Sequence, residues 1–428
     1  MLGIIVPKYA STILLIVLIV SGLASISTIH SGSAQTSTPV NGIITQDTTW
    51  TKTNSPYSLT GPVGVREGVT LTIEPGTTVN LNQYSMVVNG TLTAKGTSND
   101  KIQINGIDGS PPGIPLGSSL AISVTYGITG YGVGIFENVV INSVRVAITG
   151  TINNCTINGY VSVGQSSIIS NSHVTGLIFA GGNSQVFSNV ISGGIQVEYD
   201  SPIISNNVIS GDGIGSGIWS YLSENVVISG NTITGCNQGI FAQGGNGIIN
   251  ENYIAFNTNG ITINYGATVI VQKNTIEKNQ AGLQVTSDAS PTIRNNNLQN
   301  NSYNIYLSTS SNINAADNWW GTTNETAISQ TIHDNKNDFN LGTVTFIPFL
   351  TLPNSEAPTM PIPSPAPTPN ASSSPSQEPT TTPNQSGYNE TLFGFDAAEI
   401  AIIALLSIIA LLLVTLIIFR KKKGKNTV

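Results

Sequence analysis

The sequence predicts an all-β fold: a right-handed parallel β-helix solenoid, followed by a disordered Pro/Ser/Thr-rich stalk and one C-terminal transmembrane helix. Three observations lead there. An apolar residue recurs two places after an Asn, as in Asn189-Val190-Ile191, Asn207-Val208-Ile209, Asn231-Thr232-Ile233, Asn252-Tyr253-Ile254, Asn274-Thr275-Ile276, Asn296-Asn297-Leu298 and Asn318-Trp319-Trp320. The last three intervals are each 22 residues, and one step, Ile209 to Ile233, is 24. Backward extension through Val174, Ile157 and Val140 gives steps of 17 or 18. A fixed period of this size marks stacked supersecondary units.

The content of one period selects the solenoid type. Ile254, Ile261-Thr262-Ile263 and Val269-Ile270-Val271 are three short apolar clusters that alternate in and out, punctuated by Gly and Asn. None has helical spacing. Three short strands at ~3.3 Å per residue, with their turns, fill about one such period. Each strand then pairs in parallel with its equivalent one coil away. The repeated Asn suits a turn, because it tolerates left-handed backbone angles and can stack into an amide ladder. Right-handed coiling follows from the handedness of parallel crossovers.

The ends differ from the middle. Lys8, the apolar Ile13–Val20 and the small residues Ser31-Gly32-Ser33-Ala34 read as a secretory signal over 1–34. The β-helix is assigned to 35–350, with 35–110 as its N-terminal cap region. Ten prolines between Pro353 and Pro383, set among Ser, Thr and Asn, define a stalk over 351–395. Extended at ~3.1 Å per residue, about 40 residues reach on the order of 120 Å. The segment 396–419 contains the apolar run Ile400–Phe419, long enough to span a bilayer, and 420–428 is basic, with Arg420, Lys421, Lys422, Lys423 and Lys425. By the positive-inside rule this tail is cytoplasmic and the solenoid extracellular, giving a single-pass cell-membrane protein. Glycosylation sequons stand at Asn89, Asn154, Asn300, Asn324, Asn370, Asn384 and Asn389.

Composition narrows the partners. Charged residues are 9% of the chain and the net charge is −7, so nucleic acid, which needs a basic surface, is not an expected partner. Cys155 and Cys236 fall about four coils apart, roughly 19 Å, beyond the reach of a disulfide. They read as buried free thiols.

The N-terminal segment carries Gly42-Ile43-Ile44, Asp47-Thr48-Thr49-Trp50, then Gly68 through Val79 and Val88 through Gly96. With the Asn-x-Ile repeats and Asp317-Asn318-Trp319-Trp320-Gly321, this resembles secreted right-handed parallel β-helix proteins of the pectate-lyase-like superfamily. It is most similar to surface-anchored archaeal members with NosD-like repeats. The resemblance covers roughly 41–350 and implies the fold. It does not fix activity, since the superfamily holds polysaccharide lyases, glycosidases, adhesins and NosD-type copper-site maturation proteins.

The register sorts side chains. With Ile195, Ile218, Ile240, Ile261, Leu283 and Ile305 inward, one outward column is Gln196, Trp219, Phe241, Thr262, Gln284 and Tyr306. The next is Glu198, Tyr221, Gln243, Asn264, Thr286 and Ser308. Aromatic faces stack on apolar sugar faces and amides bind hydroxyls. The candidate carbohydrate-binding residues are therefore Trp219, Tyr221, Phe241, Gln196, Gln243 and Asn264. A lyase base is not evident, because this strip has no Lys or Arg. Glu198 with Glu224 or Asp212 is the one carboxylate pair that hydrolysis could use. His173 and His333 stand alone, and Asp334-Asn335-Lys336-Asn337-Asp338 is a possible calcium loop without EF-hand spacing. No catalytic residue, metal site or cofactor is assigned. The sequence thus points to a membrane-anchored, non-catalytic surface protein that binds or presents to extracellular glycans or surface-layer proteins. The alternative is a polysaccharide-degrading glycosidase or lyase using the same strip.

Overall fold

The computed structural model describes residues 37–106 and 127–360. The leader, residues 361–395 of the expected stalk, the apolar run Ile400–Phe419 and the basic tail lie outside the described residues, as do Asn370, Asn384 and Asn389; residues 351–360, expected to begin the stalk, are described and belong to the folded unit. Among the described residues no helix is long and apolar enough to cross a membrane.

The described chain is a parallel β-helix. Every strand pairs in parallel with its equivalent in the neighbouring coil, from Thr38 opposite Tyr57 to Asn314 opposite Thr345. Three strand columns run the length of the repeats. One, here the first face, contains Ile195–Glu198, Asn259–Asn264, Ala281–Thr286 and Tyr303–Ser308. A second contains Ile203–Ser205, Ile270–Gln272 and Thr292–Arg294. A third contains Val208–Ser210, Thr232–Thr234, Tyr253–Ala255, Thr275–Glu277 and Asn297–Gln299. Ser216–Ser229 and Gln238–Asn250 each run through the first two faces, with a register shift between Ser223 and Val226 where the chain bends.

The interior is built from stacked aliphatics. Ile191, Ile209, Ile233, Ile254, Ile276 and Leu298 pair in one column on the third face, as their spacing predicts. All six are at most 1% exposed, and each contributes about 1.5–3 kcal/mol by burial. The column continues toward the N-terminus through Val174 and Ile157 to Ile141. Val140, expected in this column, is one place off: it faces outward opposite Thr156. The step there is 16 residues, shorter than any the repeat pattern contained, so counting by the period slipped one residue.

The corners carry the second element of order. Asn189, Asn207, Asn231, Asn252, Asn274, Asn296 and Asn318 are all buried. From Asn207 onward, each Oδ1 accepts from both the backbone N–H and the Nδ2 of the Asn one coil earlier, at 2.8–3.0 Å. Each Nδ2 also donates to a second-face carbonyl of the preceding coil, for example Asn274 to Ile249 at 2.8 Å. A shorter ladder of Asn257, Asn279 and Asn301 repeats the device at another corner. The ladder Asn are not the left-handed residues. That conformation belongs to the residue before each: Ser188, Asn206, Gly230, Glu251, Lys273, Asn295 and Asp317 in the first ladder, Phe256, Lys278 and Asn300 in the second. The turn and the ladder thus use adjacent positions. The side-chain amide satisfies buried backbone groups, and its neighbour absorbs the roughly 1–2 kcal/mol of left-handed strain.

The cysteines head these ladders. The N–H of Cys155 donates to Ser172 Oγ at 3.1 Å, and that of Cys236 to Asn257 Oδ1 at 2.9 Å. Both thiols are free and buried, and burial pushes each up to about 11. At the C-terminal end Trp320 is buried against Phe346, 6.0 Å between ring centroids. The following segment folds back along the third face. Leu350 N–H donates to Asn318 O at 3.0 Å; Asn354 exchanges hydrogen bonds with Asn297 at 2.8 and 3.1 Å; Glu356 pairs with Lys273 at 2.6 Å.

Replacing Asn274 with Ala strips the acceptor from the Asn252 N–H and the donor from the Ile249 and Gln272 carbonyls. Each buried group left unpaired costs about 1–3 kcal/mol, so Asn274→Ala is expected to destabilise the solenoid by on the order of 3–5 kcal/mol in urea denaturation. The exposed Thr268→Ala control should stay within about 0.5 kcal/mol.

Candidate functional site

The first face puts the candidate residues together in the expected register. Gln196 pairs with Trp219, Trp219 with Phe241, Phe241 with Thr262, and Thr262 with Gln284. Glu198 pairs with Tyr221, Tyr221 with Gln243, and Gln243 with Asn264. Both columns face outward because the residues between them, Val197, Ser220, Ala242 and Ile263, are buried. A stack of glycines lets the coils approach at the start of these strands. A Cβ on Gly239 would lie 2.5 Å from Gly260 O, and one on Gly260 2.6 Å from Gly282 O.

The aromatic rings form one cluster. Trp219 and Phe241 stack at 6.3 Å with 14° between planes. Tyr221 tilts against Trp219 at 6.0 Å. Trp219 Nε1 donates to Gln243 Oε1 at 3.3 Å, which fixes the indole across two coils. Gln196 Nε2 donates to Glu198 Oε1. All six predicted residues are half-buried, with their outer edges open.

Sequence reasoning missed Tyr199. It adopts φ 59° at the end of its strand and packs edge-on against Tyr221 at 5.5 Å. Its neighbouring hydroxyl raises the Tyr221 phenol above its ordinary value, with burial and Glu198 adding to the rise. Leu222 and Tyr265 share this left-handed corner position, at φ 46° and 54°. Bulky residues are uncommon there, and nothing in the period flags them. A second aromatic group also went unseen. His333 pairs with Tyr306 and stacks on it at 4.2 Å, with Tyr303 edge-on to both. His333 looked isolated because it stands 27 positions after Tyr306, across the cap.

The other candidates separate. Asp212 precedes the strand Ser216–Ser229 that carries Trp219 and Tyr221, and Glu224 lies in the bend within it. The Asp212 carboxylate accepts from the Ile214 N–H at 3.0 Å. The Asp334 loop is spoken for by protein groups. Asp334 Oδ1 accepts from the Lys336 N–H at 3.1 Å and pairs with its ammonium at 3.0 Å, and Oδ2 accepts from the Val344 N–H at 3.1 Å. Asp338 Oδ1 takes the N–H and Nδ2 of Asn340. Among the described residues no group of acidic, His or Cys side chains could hold a metal ion. His173 is exposed on the third face. On the third face Glu277 is buried, accepting from Tyr253 Oη at 2.8 Å and Gln299 Nε2 at 3.1 Å. Its lone pairs are occupied within the protein. The four sequon asparagines among the described residues, Asn89, Asn154, Asn300 and Asn324, are all exposed; Asn154 also donates to Asn138, and Asn324 caps the helix Glu325–Gln330.

With this geometry in place, residues 149–298 match the family described as right handed beta helix region. The match falls on the coils that carry both ladders and the aromatic cluster. No curated protein matches the chain.

Asp334 generates a pH test. Burial opposes its ionisation, but the Val344 and Lys336 N–H groups and the Lys336 ammonium outweigh it and hold the carboxyl below its ordinary value of 3.8. A carboxyl depressed on folding stabilises above its unfolded pKa, and that stability is lost as pH falls through the folded value. Asp334→Asn should therefore be less stable than wild type at pH 7 yet lose less stability on acidification below 3.8 in pH-dependent urea unfolding.

Proposed function

We propose that this protein is a non-catalytic, surface-displayed β-helix that binds extracellular glycan through its first face. The observation that carries this reading is the near-parallel, stacked Trp219–Phe241 pair, with 14° between planes, flanked by Tyr221 and the amides of Gln196, Gln243 and Asn264. The two rings form an aromatic platform that spans two coils, and the amides beside it supply donors and acceptors for hydroxyls. The platform is pre-organised, because strand pairing and the Trp219–Gln243 hydrogen bond hold its rings before any ligand arrives. The apolar run Ile400–Phe419 with its basic flank supports single-pass anchoring, and the Pro-rich segment before it supports display above the membrane. Secretion is supported by the leader pattern.

Two measurements test the proposal. On a glycan array probed with the protein, a bound glycan should lose about 1–3 kcal/mol of affinity with the Trp219→Ala/Tyr221→Ala double variant, on the scale of aromatic stacking. The variant should keep its circular dichroism spectrum, since outward side chains add little to the core. Unchanged binding would place the site elsewhere. Protease added to intact cells should remove the solenoid and leave the tail from Arg420 protected; a protected solenoid would reverse the orientation.

A further inference from the structure

Resting on the glycan-binding reading of this face, we infer that the ligand carries protonated amines, as a hexosamine chain with free amino groups does, and that uronate or sulfated chains are rejected. Three independent features of the face converge on a cationic, hydrogen-donating ligand.

The first is charge. Between Arg145 and Lys273 the sequence contains no Lys or Arg, while it holds Glu198, Asp200, Asp212, Glu224 and Glu251. Four of these five stand in the two consecutive coils that carry Tyr199, Trp219 and Tyr221. Glu198 and Asp200 bracket Tyr199, Asp212 precedes the strand of Trp219 and Tyr221, and Glu224 sits in that strand's bend, three residues after Tyr221. Among the described residues none of the four forms an ion pair. Basic residues elsewhere in the solenoid lie toward its two ends. A uronate chain would bring further carboxylates beside these, and like charges ~5 Å apart repel by about 0.8 kcal/mol even at the dielectric of water. An ammonium group gains the same interaction with opposite sign.

The second is an acceptor surplus. Thr262, directly after Phe241 in the outward column, is 4% exposed, and its Oγ1 has no hydrogen-bond partner. Asn264 Oδ1 on the same strand and Gln238 Oε1 on the strand of Phe241 are likewise buried and unpaired. Two of the three are amide oxygens that can only accept, and the Thr262 hydroxyl can accept as well. A buried acceptor without a donor is costly, and an ammonium offers three donors and no acceptor. The third feature is the rings. The faces of Trp219, Tyr221 and Phe241 carry the negative quadrupole that attracts cations within about 6 Å. Rings, carboxylates and unpaired oxygens therefore favour the same kind of group.

The test uses full-length protein in detergent, titrated calorimetrically with hexamers of glucosamine, N-acetylglucosamine and galacturonic acid. At low ionic strength the glucosamine hexamer should bind about tenfold tighter than the acetylated one, and the advantage should shrink at about 1 M salt, where the Debye length is about 3 Å. Galacturonate should not bind. Glu198→Gln should reduce the amine preference while leaving affinity for the acetylated hexamer nearly unchanged. Trp219→Ala should weaken both. Equal affinity for the amine and acetyl forms, or binding of galacturonate, overturns this inference and leaves the glycan reading standing. Glucosamine binding that Trp219→Ala does not alter also overturns it, because attraction is then to the acidic surface at large. Failure of all three hexamers to bind overturns the inference; a glycan that the protein binds on the array keeps the glycan reading, and an array with no binder overturns that reading too.

Discussion

The structure depends on one constraint: a chain that turns three corners per coil buries backbone donors and acceptors at every corner, and each needs a partner. The Asn ladder meets this constraint at the corner between the second and third faces. One amide accepts twice from the coil before it and donates back to a carbonyl of that coil, so each Asn closes three groups in its neighbour beside one carbonyl of its own turn. The unit is therefore cooperative along the axis. A coil without its successor leaves its own N–H open, which explains why the ladder begins and ends in substitutes. Ser172 and Cys155 carry it toward the N-terminus, and Asn318 is closed by the Ala315 and Ala316 carbonyls.

The same constraint positions the candidate site. A ladder residue fixes where each coil turns, so strand register on the first face cannot drift. Insertions are confined to loops, as the 24-residue step between Ile209 and Ile233 shows: its extra residues sit around Asp212 and in the bend at Glu224, while both ends remain in register. Outward columns then stay aligned over several coils, and side chains far apart in sequence meet at the ~4.8 Å spacing of paired strands. Trp219 and Phe241 stack because their coils cannot slide. The left-handed corners act at the edge of this strip, where Tyr199 is turned back against Tyr221.

Much of this was legible in the sequence, for a physical reason. A solenoid converts sequence period into axial contact, so spacing alone places Ile191 above Val174 and Trp219 beside Gln196. What spacing cannot give is anything that breaks the period or comes from outside it. The short coil put Ile141 where Val140 was expected. His333 reaches the aromatic column only through the C-terminal cap, and residues 350–357 meet Asn297 and Lys273 by folding back. The repeated Asn drew attention to itself as the turn residue, yet the left-handed position before it tolerates Glu251, Lys273 and Phe256 and so has no compositional signature. Tyr199 escaped for the same reason.

The low charge content follows from this geometry as well. In-register stacking sets identical column positions ~4.8 Å apart, where a repeated charge repels its copy by about 1 kcal/mol per pair even at the dielectric of water. Charges are tolerated singly or where a partner is at hand, and the ion pairs of the described residues obey this. Lys52 meets Asp100 in the N-terminal coils, Lys273 meets Glu356 of the returning segment, and Lys336 meets Asp334 in the cap. Glu277 and Lys278, the remaining pair, are neighbours at a corner. Set against that pattern, Glu198, Asp200, Asp212 and Glu224 are the departure. They gather around the aromatic rings in adjacent coils without a cation, at a place where stacking disfavours them, on the face whose next coils hold buried oxygens that lack donors. Glu198 and Asp212 each take one local hydrogen bond, from Gln196 and from the Ile214 N–H, and the core uses none of the four. A ligand that brings positive charge and N–H groups accounts for their position with one interaction.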